Sequence, residues 1–84
     1  MEELVTPSGG RALVSGGQGG IGRATVAALA ADGHVVVVAD LDGSTAPPGA
    51  GEAIGCDLRD PAACVAAVER AAATLGGLTV LVHS

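Results

Sequence analysis

Residues Ser15 to Gly22 read Ser-Gly-Gly-Gln-Gly-Gly-Ile-Gly. They follow the apolar run Ala12-Leu13-Val14 and lead directly into the helix-forming stretch Arg23 to Ala31. This is a strand, a glycine turn and a helix. Gly16, Gly20 and Gly22 stand at the spacing G-x-x-x-G-x-G, where missing side chains let a phosphate-bearing ligand approach the backbone. A helix that starts there offers unpaired N–H groups and a partial positive charge, both suited to a pyrophosphate.

The rest of the chain repeats the same units. The first strand is expected over Arg11 to Ser15 and its helix over Gly20 to Asp32, with Ile21, Ala24, Thr25, Ala28 and Leu29 along one face. Gly33 closes that helix as a C-terminal cap. His34 to Asp40 carries four consecutive valines, Val35 to Val38, the continuous apolar pattern of a strand buried on both faces in a parallel sheet. Leu41 to Glu52, rich in Gly and Ala with the pair Pro47-Pro48, is a loop unsuited to a helix.

A short third strand covers Glu52 to Cys56. Asp60 as N-cap and Pro61 at the first helical position then open a second helix, running to about Leu75. Its apolar face is expected at Val65, Val68, Ala72 and Leu75, away from Glu69 and Arg70. Gly76-Gly77 ends it, and Leu78 to Val82 is a fourth strand. The order predicts an α/β fold: a partial Rossmann-like parallel sheet of four strands in the order 3-2-1-4, with one helix on each face. Residues 1–10 are expected to be a flexible lead-in, and residues 11–84 part of a Rossmann-type nucleotide-binding domain.

With 84 residues and no Phe, Tyr or Trp, the core must be built from Val, Leu, Ile and Ala, and it is small. A hydrophobic content of 49 % is high for such a chain and implies surface that something else covers, an oligomer or a partner chain over the exposed sheet. A net charge of −5 with no Lys argues against a nucleic-acid partner. The four arginines are expected at solvated positions, and only Arg23 is near enough to the turn to meet a phosphate. The acidic N-terminus has no long apolar core, and the longest apolar runs are too short to span a bilayer, so no membrane partner is expected and the chain is placed in the cytoplasm. Cys56 and Cys64, eight residues apart, are expected as reduced, buried thiols without a metal or redox role.

Asp40 follows Gly22 by 18 residues and ends the second strand, where dinucleotide folds place a carboxylate against the adenosine ribose hydroxyls. Asp42, further into the loop, is expected to be solvated. A 2'-phosphate about 4 Å from the Asp40 carboxylate would meet repulsion of about 4 kcal/mol per unit charge at an effective dielectric near 20, and no Arg or Lys follows in the loop. NAD is therefore expected as cofactor over NADP.

The turn Ser15 to Gly22 resembles the T-G-x-x-x-G-[IL]-G cofactor turn of the short-chain dehydrogenase/reductase family. Asp40 matches that family's ribose-binding acid, Asp57-Leu58 resembles its adenine-contacting pair, and Leu78 to Ser84 resembles the strand leading to its N-N-A-G motif. The resemblance covers the chain from Arg11 onward and implies a cofactor site of Gly16, Gly17, Gln18, Gly20, Ile21, Gly22, Asp40, Leu41, Asp57 and Leu58. Ser15 stands for the usual Thr, and His83-Ser84 for the usual Asn-Asn. His83 and His34 are expected to be structural, and Asp57 has a second reading as the cap of a turn.

Family members transfer a hydride between an alcohol and a ketone with a Ser, a Tyr and a Lys beyond the fourth strand. This chain has no Tyr and no Lys, so it is expected to hold no catalytic residue and to be inactive alone. Two other readings stay open: a non-catalytic nucleotide-binding module that docks through Val80-Leu81-Val82, and a gene fragment with no independent role.

Overall fold

The computed structural model describes residues 10–41, 43 and 45–83. Most of the expected lead-in, together with Asp42 and Ser44, lies outside the described residues. Four strands and two helices follow in the order β1 Arg11–Ser15, α1 Gly20–Ala31, β2 Val35–Asp40, β3 Glu52–Gly55, α2 Pro61–Leu75 and β4 Val80–His83. All pairings are parallel and the strands lie in the order β3-β2-β1-β4, as the element order predicts.

Alternation along the strands sorts the core into two layers. On one side Ala12, Val14, Val36 and Val38 pack against Val26 of α1. On the other, Leu13, Val37, Ala39 and Ile54 pack against Ala67 and Ala71 of α2. The second strand is thus covered on both faces over Val36 to Ala39, while Val35 at its start is exposed. The loop between β2 and β3 lies on the α1 side, where Pro47 is fully buried and Ala50 packs on the core.

Both helix faces match the expected ones only in part: Leu29 and Leu75 pack against the core as expected, but the most buried positions lie elsewhere. In α1 the buried residues are Gly22 and Val26, whereas Ile21 is 78 % exposed. In α2 they are Ala67 and Ala71, and Val65 is 58 % exposed. Alanines supply almost no contrast around either helix, so several stripes satisfy the 3.6-residue period equally well. Close approach to the sheet selects the smallest residues, Gly22, Ala67 and Ala71.

The helix ends match the sequence. Asp60 caps α2 by accepting from the Ala62 N–H at 3.0 Å. Gly76 ends it in the left-handed region at φ 76°, and Gly33 follows α1 at φ 90°. The edge strand β4 is the least covered, with Leu81 63 % exposed.

Candidate functional site

The parallel strands bring Ser15, Asp40, Asp57 and His83 to one edge of the sheet. Ser15 is in register with Ala39 on one side and His83 on the other. The Cys56 N–H donates to the Asp40 carbonyl at 2.7 Å, which places Asp57 next to the end of β2. Chain direction reverses its progress across the sheet at β1, and in open α/β sheets ligands bind in the crevice outside the strand ends at that point.

Each glycine of the turn has a different physical reason. Gly16 has φ 74°, a conformation that side-chain-bearing residues rarely adopt. Its N–H donates to the Ala39 carbonyl at 2.8 Å. A Cβ at Gly17 would collide with Val38 Cγ1, and one at Gly22 would collide with the Gly16 carbonyl oxygen and lie 2.7 Å from Gly17 Cα. These three glycines are demanded by the fold. At Gly20 a Cβ would meet nothing within 4 Å.

The start of α1 is open in a way that the start of α2 is not. Gly19 is its N-cap and supplies no side-chain hydrogen bond, and the first turn holds no acidic residue. The Arg23 N–H makes the first intrahelical bond, to the Gly19 carbonyl at 2.8 Å. The N–H groups of Gly20, Ile21 and Gly22 therefore lie ahead of the helix's own bonding.

Asp40 is tied to this turn directly. Its Oδ2 accepts from the Gln18 N–H at 3.0 Å and its Oδ1 from the Leu41 N–H at 2.7 Å. Gln18 is held at three further points: Nε2 donates to the Thr45 carbonyl, its own carbonyl accepts from Arg23 Nε at 3.1 Å, and its Oε1 accepts from Arg23 Nη2 at 3.5 Å. Arg23, the residue expected to see a phosphate, is thus folded back on Gln18. The sequence carries no periodic signal for this clamp, because it joins residues 22 apart. Ile21 and Leu41, 78 % and 70 % exposed, leave two large apolar side chains in solvent beside the turn.

Asp57 acts as the cap of a turn. Its Oδ1 accepts from both the Arg59 N–H and Arg59 Nε at 3.0 Å, and its Oδ2 from Arg59 Nη2 at 3.1 Å. The guanidinium and backbone bonds from Arg59 hold the Asp57 carboxyl below the usual carboxylate range. Leu58 is half-buried and packs on the α2-side core.

On that same side a cavity of about 210 Å³ opens between the sheet and α2, lined by Leu13, Ala39, Cys56, Leu58, Cys64 and Leu81 among others. None of the turn glycines reaches it. Cys56 is buried, Cys64 is half-buried, and both are free thiols. His34 lies at the opposite end of the strands, buried, with neither ring nitrogen hydrogen-bonded among the described residues.

The family model described as short chain dehydrogenase matches residues 11–84. A curated relative, the uncharacterized oxidoreductase YuxG of Bacillus subtilis (strain 168), is 37 % identical over 84 residues, covering 87 % of this chain and 12 % of the relative. Among solved structures, a short chain dehydrogenase from Burkholderia cenocepacia J2315 in complex with NADP is 37 % identical at a TM-score of 0.75, covering 88 % of this chain and 34 % of that one. The NADH-dependent reductase A1-R' complexed with NAD is 27 % identical at a TM-score of 0.77, covering 90 % and 36 %. The chain thus spans about a third of these solved proteins and a smaller share of the curated relative. Among the described residues no helix is long and apolar enough to cross a membrane.

Proposed function

This chain belongs to the short-chain dehydrogenase family, and on that premise we propose that it is the cofactor-binding portion of a cytoplasmic, NAD-dependent oxidoreductase that interconverts an alcohol and a ketone. The observation that carries the proposal is Gly20. Glycine at a helix start costs stability relative to alanine, and the protein places nothing within 4 Å of where a Cβ would stand. A ligand that approaches the backbone there accounts for the missing side chain.

In this reading the pyrophosphate lies over Gly16, Gly17, Gln18 and Gly20, facing the free N–H groups at the start of α1. The Asp40 carboxylate keeps unused lone pairs on both oxygens and accepts from the ribose hydroxyls. Ile21 and Leu41 shield the bound nucleotide from water, and Asp57 and Leu58 border the adenine. The nicotinamide ring, when bound, supplies or accepts the hydride. With no Tyr or Lys among the 84 residues, no side chain is assigned as the proton donor that carbonyl reduction requires, and the chain alone binds cofactor without turnover.

NAD is proposed over NADP because Asp40 is the charged group at the ribose position and residues 41–52 hold no Arg or Lys. Titration of the 84-residue chain with NADH and with NADPH, followed by nicotinamide fluorescence, tests this. NADH is expected to bind more tightly. Tighter binding of NADPH would remove Asp40 from the ribose site, and no binding of either would remove the site.

A further inference from the structure

The proposed cofactor site makes no use of the two cysteines, and the sequence gives them no metal or redox spacing. The fold nevertheless brings them together. Cys56 follows the last residue of β3, and Cys64 is in the first turn of α2. Cys64 packs against the buried cluster that contains Cys56, and the Cys64 thiol donates to the Leu58 carbonyl at 3.4 Å. Both line the cavity beside α2, whose other walls are largely apolar.

We propose that Cys56 and Cys64 form an oxidisable dithiol, and that hydroperoxides convert it to an intramolecular disulfide closing a ring around residues 57–63. The two sulfurs have distinct parts. Cys64 is half-buried at an open cavity and meets the oxidant first. Its sulfur attacks one peroxide oxygen, the O–O bond breaks, one water leaves, and the sulfur becomes a sulfenic acid. The Cys56 sulfur then attacks the Cys64 sulfur, an S–S bond forms, and the hydroxyl leaves as a second water. Two thiols lose two electrons and two protons, and one hydrogen peroxide becomes two waters.

Cys56 suits the second part. It is 5 % exposed, and burial, with the neighbouring Cys64 next, pushes its thiol up from the ordinary range, so it is shielded from direct oxidation and gives up its proton to the departing hydroxyl only as it attacks the Cys64 sulfur. The ring so formed ties the end of β3 to the first turn of α2 across the Asp57–Arg59 turn. The S–H bond from Cys64 to the Leu58 carbonyl is already lost when the sulfenic acid forms.

The test is intact-mass spectrometry of the folded chain after brief exposure to hydrogen peroxide, followed by alkylation. The expected result is a loss of about 2 Da with both thiols blocked to alkylation, reversed by dithiothreitol. The product is a monomer on non-reducing electrophoresis, formed faster than in the same chain unfolded in guanidinium. In Cys64→Ser the 2 Da loss is absent. The proposal is overturned by two thiols still open to alkylation, by sulfinic acid accumulating at Cys64, by disulfide-linked dimers, or by a rate no higher than in the unfolded chain.

Discussion

Ser15 Oγ and His83 Nδ1 stand 2.6 Å apart across the pairing of β1 with β4. Ser15 Oγ is also 3.3 Å from the Val82 carbonyl oxygen. A chain in which His83 Nδ1–H donates to Ser15 Oγ, and the Ser15 hydroxyl donates to Val82, satisfies both contacts with one hydroxyl proton. Ser15 and His83 both stand where the resembled motifs have Thr and Asn, and the fold makes them partners. They fasten the edge strand to the centre of the sheet at the C-terminal ends of β1 and β4.

Replacing Ser15 with Ala removes the shared hydroxyl from β1, the strand with which β4 pairs among the described residues. The expected loss is about 1 kcal/mol in urea denaturation, with faster amide exchange concentrated in β4. Ser15→Thr keeps the hydroxyl and should keep the protection. Unchanged exchange in Ser15→Ala would show that the contact does not hold the strand.

Gly20 and Gly22 separate ligand from fold. Gly20→Ala puts a methyl group into open space, so stability should hold or rise by up to about 1 kcal/mol, while NADH affinity falls at least about tenfold. Gly22→Ala drives a Cβ into the Gly16 carbonyl and should cost about 1–3 kcal/mol. Denaturation and NADH titration of both variants check this. Equal NADH affinity in Gly20→Ala and the parent chain would remove the ligand from that position.

Asp40 serves the turn before it serves any ligand. In Asp40→Ala the Gln18 and Leu41 N–H groups lose their charged acceptor, at a cost of about 1.5–3 kcal/mol for the stronger bond. Asp40→Asn keeps an oxygen for Gln18 but removes the charge. Its expected mark is a smaller preference for NADH over NADPH with little change in the denaturation midpoint.

The Asp57–Arg59 pair carries a pH dependence of definite sign. Hydrogen bonds from Arg59 lower the folded carboxyl's pKa below its ordinary value, so the folded state binds the proton less readily than the unfolded chain. The stabilisation is complete above the unfolded pKa, near 3.9, and is lost as pH falls through the lower folded value. The pair is solvent-exposed and its effect is small. Arg59→Ala should move the Asp57 carboxyl resonance in an NMR titration back toward the ordinary midpoint, and an unmoved midpoint would assign the shift elsewhere.

Much of this was legible from local chemistry. The valine run and the short apolar stretches mark strands because burial on both faces needs unbroken apolar sequence. Asp60-Pro61 marks a helix start because a carboxylate there meets a free N–H and proline needs none. Gly33 and Gly76 mark helix ends because the left-handed turn excludes a Cβ. The helix faces were legible only in part: Leu29 and Leu75 reach the core as expected, but in two helices so rich in alanine the apolar period has no unique phase, and Ile21 and Val65 fell on the solvent side. The Gln18 clamp and the meeting of Cys56 and Cys64 at one cavity were equally silent, since neither follows a sequence period.

By itself the sequence determined the element order, the parallel sheet, the glycine turn before a helix and the family that these landmarks resemble. Each follows from backbone sterics, capping and burial within a few residues. Tertiary structure alone decided what each glycine is for. The space at Gly17 is filled by Val38, which only the folded sheet brings near, and that at Gly22 by the carbonyl of Gly16 across the closed turn, whereas Gly20 is left open. It also joined Ser15 to His83 and Asp40 to Gln18, because parallel pairing sets side by side residues that the chain separates by 68 and 22 positions.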